Sequence, residues 1–246
     1  MEPLHILIIA AVYFIATFFS AMIGGAALLT IPTLMFFGLS PHMAIGTNKI
    51  GALGQTSGAS LGYGLEKKID YKFGFVFMIF TTIGAVIGSF TVLSVPEDLI
   101  RKFIGIVMII IAVFLFFKKD FGIKTIKKNR SILLLILFAL ASGFYNGFYG
   151  GGIGIINRFV LTAFFAYAVI NSAAISTFAN FGASIFSLAV FTFFGAVQYS
   201  LFIPLILTSF IGAYLGSRYA VKIGNENVKR IMLVATVIMA VKLLFF

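Results

Sequence analysis

The sequence has no cysteine and no tryptophan, and only 7 of its 246 residues are acidic. Without cysteine the chain cannot form a disulfide scaffold or a thiol relay. Charged residues make up 10% of the chain and hydrophobic residues 61%, whereas soluble domains are about a quarter charged. This composition excludes a soluble globular protein and also a disordered chain.

The few charges that are present are mostly basic. There are 18 lysines and arginines, which give a formal net charge of +11. In a soluble protein such an excess would suggest nucleic acid binding. In a membrane protein it marks cytoplasmic loops, so we expect a lipid bilayer and no nucleic acid as a partner.

Apolar runs of spanning length dominate the chain, at about 20 residues per crossing. Two further apolar stretches are short, 26–39 and 153–165, and each follows a glycine cluster, at 24–25 and 150–152. The sequence therefore predicts an all-α polytopic membrane protein of about eight transmembrane helices, with broken or re-entrant helices at the glycine clusters. The eight long runs are 4–22, 43–64, 71–93, 99–117, 131–149, 171–194, 198–220 and 228–246.

The two halves of the chain resemble each other. Residues 83–89 (Ile-Gly-Ala-Val-Ile-Gly-Ser) match residues 211–217 (Ile-Gly-Ala-Tyr-Leu-Gly-Ser) at five of seven positions. Together with the matching glycine clusters, this indicates an internal repeat of the kind common in secondary transporters. We predict a first transmembrane repeat at 1–117, a basic linker at 118–130 and a second repeat at 131–246.

The charges of the loops predict the orientation of the repeats. Loops 65–72, 118–130 and 218–230 are basic, whereas loops 94–102 and 195–199 are not. If each short stretch after a glycine cluster returns to the side from which it came, all three basic loops are cytoplasmic, as the positive-inside rule requires. If those stretches instead cross the membrane, 218–230 falls outside. We therefore predict inverted repeats with both termini external and loop 118–130 cytoplasmic.

No acidic residue falls within the apolar runs, which disfavours a transporter that depends on a buried carboxylate. Three basic residues fall within apolar context, away from the basic loops and the run ends that adjoin loops: Lys49, Arg158 and Lys242. Lys242 is close enough to the chain end to reach the interface. Lys49 and Arg158 should face protein, water or an anion, because a cation in lipid is costly. An interfacial lysine and an arginine bound to backbone carbonyls are the alternatives.

The glycine clusters and nearby polar residues form a second candidate feature. A helix that starts after Gly24-Gly25 or Gly150-Gly151 presents free N–H groups and a favourable dipole to an anion. Neutral donors follow on the next helix in each half, although they could equally bond neighbouring helices. By contrast, Gly54, Gly58, Gly62 and the pairs Gly84/Gly88 and Gly212/Gly216 are predicted to serve close helix packing. The predicted substrate-binding residues are Gly24, Gly25, Thr47, Asn48, Lys49, Gly150, Gly151, Arg158, Asn171 and Ser172.

No Walker motif, catalytic triad spacing or histidine cluster is present. The sequence thus favours a protein that is not an enzyme and that needs no cofactor or metal.

Two motifs in the first half resemble the signature of the TauE/SafE sulfite-exporter family. They are the run 24–34 (Gly-Gly-Ala-Ala-Leu-Leu-Thr-Ile-Pro-Thr-Leu) and the run 38–48 (Gly-Leu-Ser-Pro-His-Met-Ala-Ile-Gly-Thr-Asn). The resemblance implies membrane passage of sulfur-containing anions (sulfite, thiosulfate or organosulfonates) by a protein of about eight helices. Dimers are known in the family, so the resemblance also allows a homodimer. Lys49 stands where the family more often has an uncharged residue, and Arg158 stands where the repeat would place the equivalent of Pro32.

The residues predict a transporter that binds a small anion at midplane, between the N-termini of the two short helices, and the resemblance implies that this anion contains sulfur. Rocking of the two halves, or thin apolar gates, would control access. The alternatives are a transporter of another small anion or of a neutral metabolite, and a non-transporting membrane subunit that scaffolds a partner.

Overall fold

The structure is a computed structural model that describes residues 2–117 and 131–245, with side chains described for 2–107 and 131–228. The described residues are helical and contain no β-strand. The predicted linker 118–130 and the side chain of Lys242 lie outside the described residues.

The helices follow the predicted apolar runs within a few residues. The last helix, α9, is interrupted at Gly224, whose φ is 80°, so it consists of segments 202–223 and 225–245. A 3-10 turn, Tyr199–Leu201, precedes it. The helices are α1 (Pro3–Ile23), α2 (Ala27–Phe36), α3 (Pro41–Leu65), α4 (Tyr71–Leu93), α5 (Glu97–Phe117), α6 (Ile132–Phe148), α7 (Ile153–Ala163), α8 (Val169–Phe193) and α9 (Phe202–Phe245).

Four of the described helices are long and apolar enough to cross a membrane: Pro3–Ile23, Tyr71–Leu93, Val169–Phe193 and Tyr199–Val228. This confirms the prediction of a polytopic helical membrane protein. The number of eight crossings stays a prediction. Although α3 has 25 residues, it is less apolar, because it carries a group of buried polar side chains that line the site described below.

Familiar local signals set the ends of several helices. Pro3 and Pro41 occupy the first turns of α1 and α3, where a missing N–H breaks no hydrogen bond. The side chains of Asp70 and Ser131 accept hydrogen bonds from backbone N–H groups in the first turns of α4 and α6. These caps satisfy donors that the helix itself leaves free.

Both glycine clusters break the helical path, as predicted. Gly24 and Gly25 have φ values of 93° and 87°, and Gly150 and Gly152 have values of 83° and 79°, a region that L side chains avoid. After the first break, α2 turns back along α1, since the ring of Phe37 lies 5.0 Å from the ring of His5. The first helix pair is therefore a hairpin.

Hydrogen bonds gather the loops at two ends of the molecule. At one end, which we call the basic end, Tyr167 donates to Asp70, and Asn171 donates to the carbonyl of Lys68. At the opposite end, the backbone N–H of Gln198 donates to Thr47, and His42 contacts the carbonyl of Val92. Loops 66–70 and 164–168 thus share one end, and loops 94–96 and 195–198 share the other.

Glycines bring several helix backbones into direct contact. A Cβ atom at Gly54 or Gly58 of α3 would overlap the backbone of α9, and one at Gly84 or Gly88 of α4 would overlap the backbone of α6. Such close approach is typical of membrane helices, where dispersion forces replace the hydrophobic effect between helices. The predicted packing role of these glycines is confirmed, and the same holds for Gly62, Gly212 and Gly216, which meet Ser217, Phe14 and Phe18 respectively.

The contacts between the two halves show a regular pattern. Helix α4 of the first half packs on α6, and α9 of the second half packs on α1. If α1 corresponds to α6 and α4 to α9, these are the same contact made twice. This pattern is what two inverted repeats would produce, although the repeat itself stays a prediction.

Candidate functional site

A cavity of about 70 Å³ lies where the two glycine clusters meet the central parts of α3 and α8. Its wall is formed by polar side chains from both halves together with glycine backbone. On α3 these side chains fall between residues 48 and 56, and on α8 between residues 176 and 184. The polar residues of the wall include Ser20, Asn48, Lys49, Gln55, Asn146, Arg158, Ser176 and Asn180.

Lys49 reaches this cavity from α3. Its side chain is buried, with 2% of the residue exposed, and its Nζ donates to the backbone carbonyl of Asn146 at 2.5 Å. Asn146 lies in the last turn of α6, where backbone carbonyls have no partner within the helix. The lysine therefore occupies the negative end of a helix dipole, and its other N–H groups remain available.

Arg158 reaches the cavity from α7, and 3% of the residue is exposed. Its Nη2 donates to the carbonyls of Ser20 and Ala21, at 2.9 Å and 3.1 Å. Its Nε and Nη1 are buried and have no hydrogen-bond partner. Backbone carbonyls therefore satisfy only one of its three nitrogens, and a buried guanidinium that lacks partners is costly.

No carboxylate balances these two cations in the described part of the chain. The carboxylate of Glu66 pairs with Arg218, and those of Glu2 and Glu97 lie near His5 and His42. No aspartate or glutamate lines the cavity. Because a buried charge needs a counter-charge or many hydrogen bonds, the cavity is suited to an anion and unsuited to a cation.

Neutral donors add to this positive environment. Oδ1 of Asn48 accepts hydrogen bonds from Tyr13, at 2.9 Å, and from Thr30, at 2.7 Å. These two bonds hold the amide in an orientation that leaves its NH₂ group free to donate. The hydroxyl of Tyr149 is buried without a partner, and Tyr149 also lines the cavity.

The two short helices begin at the cavity. Gly25, Ala26 and Ala27 at the start of α2, and Ile153 and Gly154 at the start of α7, are part of its wall. Neither helix has a side-chain cap that bonds its first turn. Several N–H groups at these helix starts are already bonded, that of Ala26 to Ser20 and those of Leu28 and Ile153 to the carbonyls of Gly25 and Gly150. The two helices therefore direct mainly the positive ends of their dipoles to the same region.

Six of the ten sequence-predicted site residues line the cavity: Gly24, Gly25, Asn48, Lys49, Gly150 and Arg158. Their role in substrate binding stays a prediction, since no ligand is present.

The structure places the other four away from the cavity wall. The hydroxyl of Thr47 accepts from the N–H of Gln198 at the opposite end, and Gly151 packs on the ring of Tyr149. At the basic end, Asn171 donates to Lys68, and Ser172 bonds Thr162. These contacts are interhelical or between loops, which was the alternative interpretation of the polar residues.

The list of predicted site residues did not include several residues of the wall, among them Ser20, Asn146, Ser176 and Asn180, although Ser176 and Asn180 belong to the group of neutral polar residues on the helix after the second glycine cluster. A better alignment of the two halves would have selected Ser176. Counted from the first residues of α3 and α8, Asn48 corresponds to Ser176, about one helical turn beyond Ser172. Likewise, Ser20 and Asn146 each stand four residues before a glycine pair.

Comparison with known proteins gives the family. A family model described as "Sulfite exporter TauE/SafE" matches residues 9–243. The chain belongs to the TauE/SafE family.

Several curated relatives align along nearly their full length. The chain is 29% identical over 232 residues to "Probable membrane transporter protein ORF9" of Sinorhizobium sp, which covers 94% of this chain and 89% of the relative. It is 27% identical over 239 residues to a "Probable membrane transporter protein" of Haemophilus influenzae, covering 97% and 94%. It is 26% identical over 246 residues to "Probable membrane transporter protein YfcA" of Escherichia coli K12, covering 100% and 91%. No solved structure matches.

The TauE/SafE membership and these relatives make the chain a membrane transporter in a lipid bilayer. The names of the relatives state transport and give no substrate. They also describe transporters, which as a class are generally not enzymes. The substrate of this TauE/SafE protein must therefore be argued from its own cavity.

Proposed function

We propose that the protein carries a small sulfur-containing anion, such as sulfite, thiosulfate or an organosulfonate, across the cell membrane. The anion would bind near midplane, in the cavity between the N-termini of α2 and α7. One observation carries this proposal: Lys49 and Arg158 are buried in the wall of one cavity, and no carboxylate of the described residues accompanies them.

The chemistry of the cavity supports an oxyanion in particular. Lysine and arginine donate several hydrogen bonds each, and Arg158 has two nitrogens without partners. An ion with several oxygens can accept from both side chains and from helix N-termini at once. The position of the cavity, beside the central parts of two long helices, supports binding near the middle of the membrane.

We also propose the orientation expected from the charges. The basic end carries Lys67 and Lys68 in the loop before α4, and Arg218 and Lys222 in the adjoining part of α9, so this end would face the cytoplasm. The first residues of α1 contact Phe37, which supports an external N-terminus. A homodimer remains part of the proposal on the strength of the family resemblance alone.

Flux into proteoliposomes tests the proposal. Purified protein would be reconstituted, and uptake of sulfite and thiosulfate compared with that of chloride and acetate. We expect selective uptake of the sulfur anions that falls to the level of empty liposomes in a Lys49→Ala/Arg158→Ala variant. Lys72→Ala, which removes an exposed lysine at the start of α4, is the matched control and should retain uptake.

Three results would contradict the proposal. Uptake of acetate or chloride equal to that of sulfite would indicate a transporter of other anions. Full uptake by the folded double variant would exclude the cavity cations from the path. Folded wild-type protein that moves none of the four anions would favour a different solute or a scaffold role.

A further inference from the structure

We infer that the cavity selects doubly charged oxyanions over singly charged ones, because Lys49 and Arg158 bind one anion together. This inference rests on the proposed function and narrows its substrate class. Thiosulfate, sulfate and fully deprotonated sulfite belong to the favoured class, and singly charged organosulfonates and chloride do not.

The charge balance of the cavity favours a doubly charged anion. Lys49 and Arg158 are each at most 3% exposed, and both line the same cavity, which has no acidic residue in its wall. A singly charged anion would leave one buried positive charge without a counter-charge, which is costly away from water. A doubly charged anion neutralises both cations.

The free hydrogen-bond donors of Lys49 and Arg158 favour an ion with several oxygens. Lys49 uses one N–H group on the carbonyl of Asn146, and an ammonium group has three. Arg158 uses Nη2 on α1, whereas its Nε and Nη1 have no partner. The two side chains therefore reach the wall of one cavity from different helices, α3 and α7, and each has N–H groups beyond those it uses on carbonyls. An ion with several oxygens can accept from both.

The size of the cavity favours a compact ion. The cavity is about 70 Å³, and its wall includes the backbone contact between Gly24 and Gly154, which has no side chain that could move aside. A compact inorganic ion fits such a space better than a sulfonate that carries an organic group.

The test compares anions of different charge at one ionic strength. Purified full-length protein would be titrated with thiosulfate and sulfate as dianions, and with methanesulfonate and chloride as monoanions, and dissociation constants would be measured by calorimetry. We expect wild-type protein to bind thiosulfate at least about tenfold more tightly than methanesulfonate, since one additional unit of charge interacts with two nearby cations.

A charge-neutral variant then separates valence from general affinity. In Lys49→Gln we expect thiosulfate to lose at least about tenfold in affinity while methanesulfonate changes little, because one cation still suffices for a monoanion. Lys72→Gln is the matched control, with the same substitution at an exposed site, and should bind as wild type does. Arg158→Gln should act like Lys49→Gln, and Arg158→Lys keeps the charge if the glutamine variant does not fold.

Equal wild-type affinity for thiosulfate and methanesulfonate would overturn the inference, and so would equal losses for both in Lys49→Gln. Either result leaves the proposed function standing, provided that the proteoliposomes still take up sulfur anions. Absence of binding and of uptake for every sulfur anion would overturn both.

Discussion

Lys49 and Arg158 make the same kind of contact from opposite halves of the chain. Lys49 donates to the carbonyl of Asn146 in α6, and Arg158 donates to the carbonyl of Ser20 in α1. Since Ser20 and Asn146 hold the same position before their glycine pairs, each half places a cation at the broken helix of the other. The cavity is therefore complete only when both halves are present.

The contact between the first glycine cluster and the start of α7 should tolerate no side chain at Gly24. A Cβ atom at this position would overlap backbone atoms of Gly154 and Ile155. We expect Gly24→Ala to lower the thermal unfolding temperature in detergent and to abolish anion uptake. Gly38→Ala is the control, because Gly38 has the same φ of 93° but no neighbour within 4 Å of the added atom.

The two variants share the strain of a positive φ, about 1–3 kcal/mol. Only Gly24→Ala adds the overlap with α7. Equal unfolding temperatures for both variants would show that the close approach of Gly24 to Gly154 does not contribute to the stability of the protein.

The contact between α3 and α9 should depend on Gly58. We expect Gly58→Ala to destabilise the protein, because its Cβ would overlap the carbonyl of Phe210. Gly105→Ala in α5 meets open space and should stabilise its helix by up to about 1 kcal/mol through helix propensity alone. Thermal unfolding followed by circular dichroism measures both. A stabilising Gly58→Ala would refute the close packing of these helices.

The proposed orientation can be tested with single cysteines, since the chain has none of its own. Ser200 and Lys72 are exposed at the opposite end and at the basic end respectively. We expect a membrane-impermeant maleimide to label Ser200→Cys in intact cells, and to label Lys72→Cys only after permeabilisation. The reverse pattern would place the basic end outside.

The hydrogen bond from Tyr167 to Asp70 should make stability depend on alkaline pH. Tyr167 lies in the loop between α7 and α8, where burial, and next the hydrogen bond to Asp70, raise the pKa of its phenol. The proton is held more tightly in the folded state. The stabilisation is therefore present below the ordinary pKa of about 10 and is lost as the pH rises beyond it.

We expect Tyr167→Phe to be less stable than wild type at neutral pH by about 1 kcal/mol, the usual net value of one hydrogen bond. The difference should shrink above about pH 10, where the phenol of the unfolded wild-type chain begins to ionise while that of the folded protein keeps its proton. Unfolding temperatures of the two proteins across this pH range provide the measurement. A constant difference would mean that the phenol proton is not involved.

The sequence was sufficient to predict the helices, because each apolar run and each glycine cluster acts locally. Lys49 and Arg158 could also be selected from the sequence. A cation within an apolar run is unusual, whatever the position of that run in the fold. The packing glycines were also found from spacing alone, as Gly84 and Gly88 illustrate.

The rest of the cavity depended on register between distant helices. Asn171 and Ser172 resembled Thr47 and Asn48 in composition, but the first residues of α8 extend to the basic end and bond its loops. Ser20 and Asn146 contribute to the cavity through backbone carbonyls as well as side chains. Every residue has a backbone carbonyl, so the sequence does not show which carbonyls take part. Only the folded chain shows which carbonyls receive the two cations.

The glycine contacts also determine which helices can move as one body. They join α1 and α3 to the first segment of α9 through Gly58 and Gly212, and they join α4 to α6 and α8 through Gly84 and Gly182. Each resulting bundle contains one helix exchanged from the other half of the sequence. Any rigid-body motion that opened the cavity would therefore separate two mixed bundles, and the mechanical boundary of the protein would not coincide with the boundary between its halves.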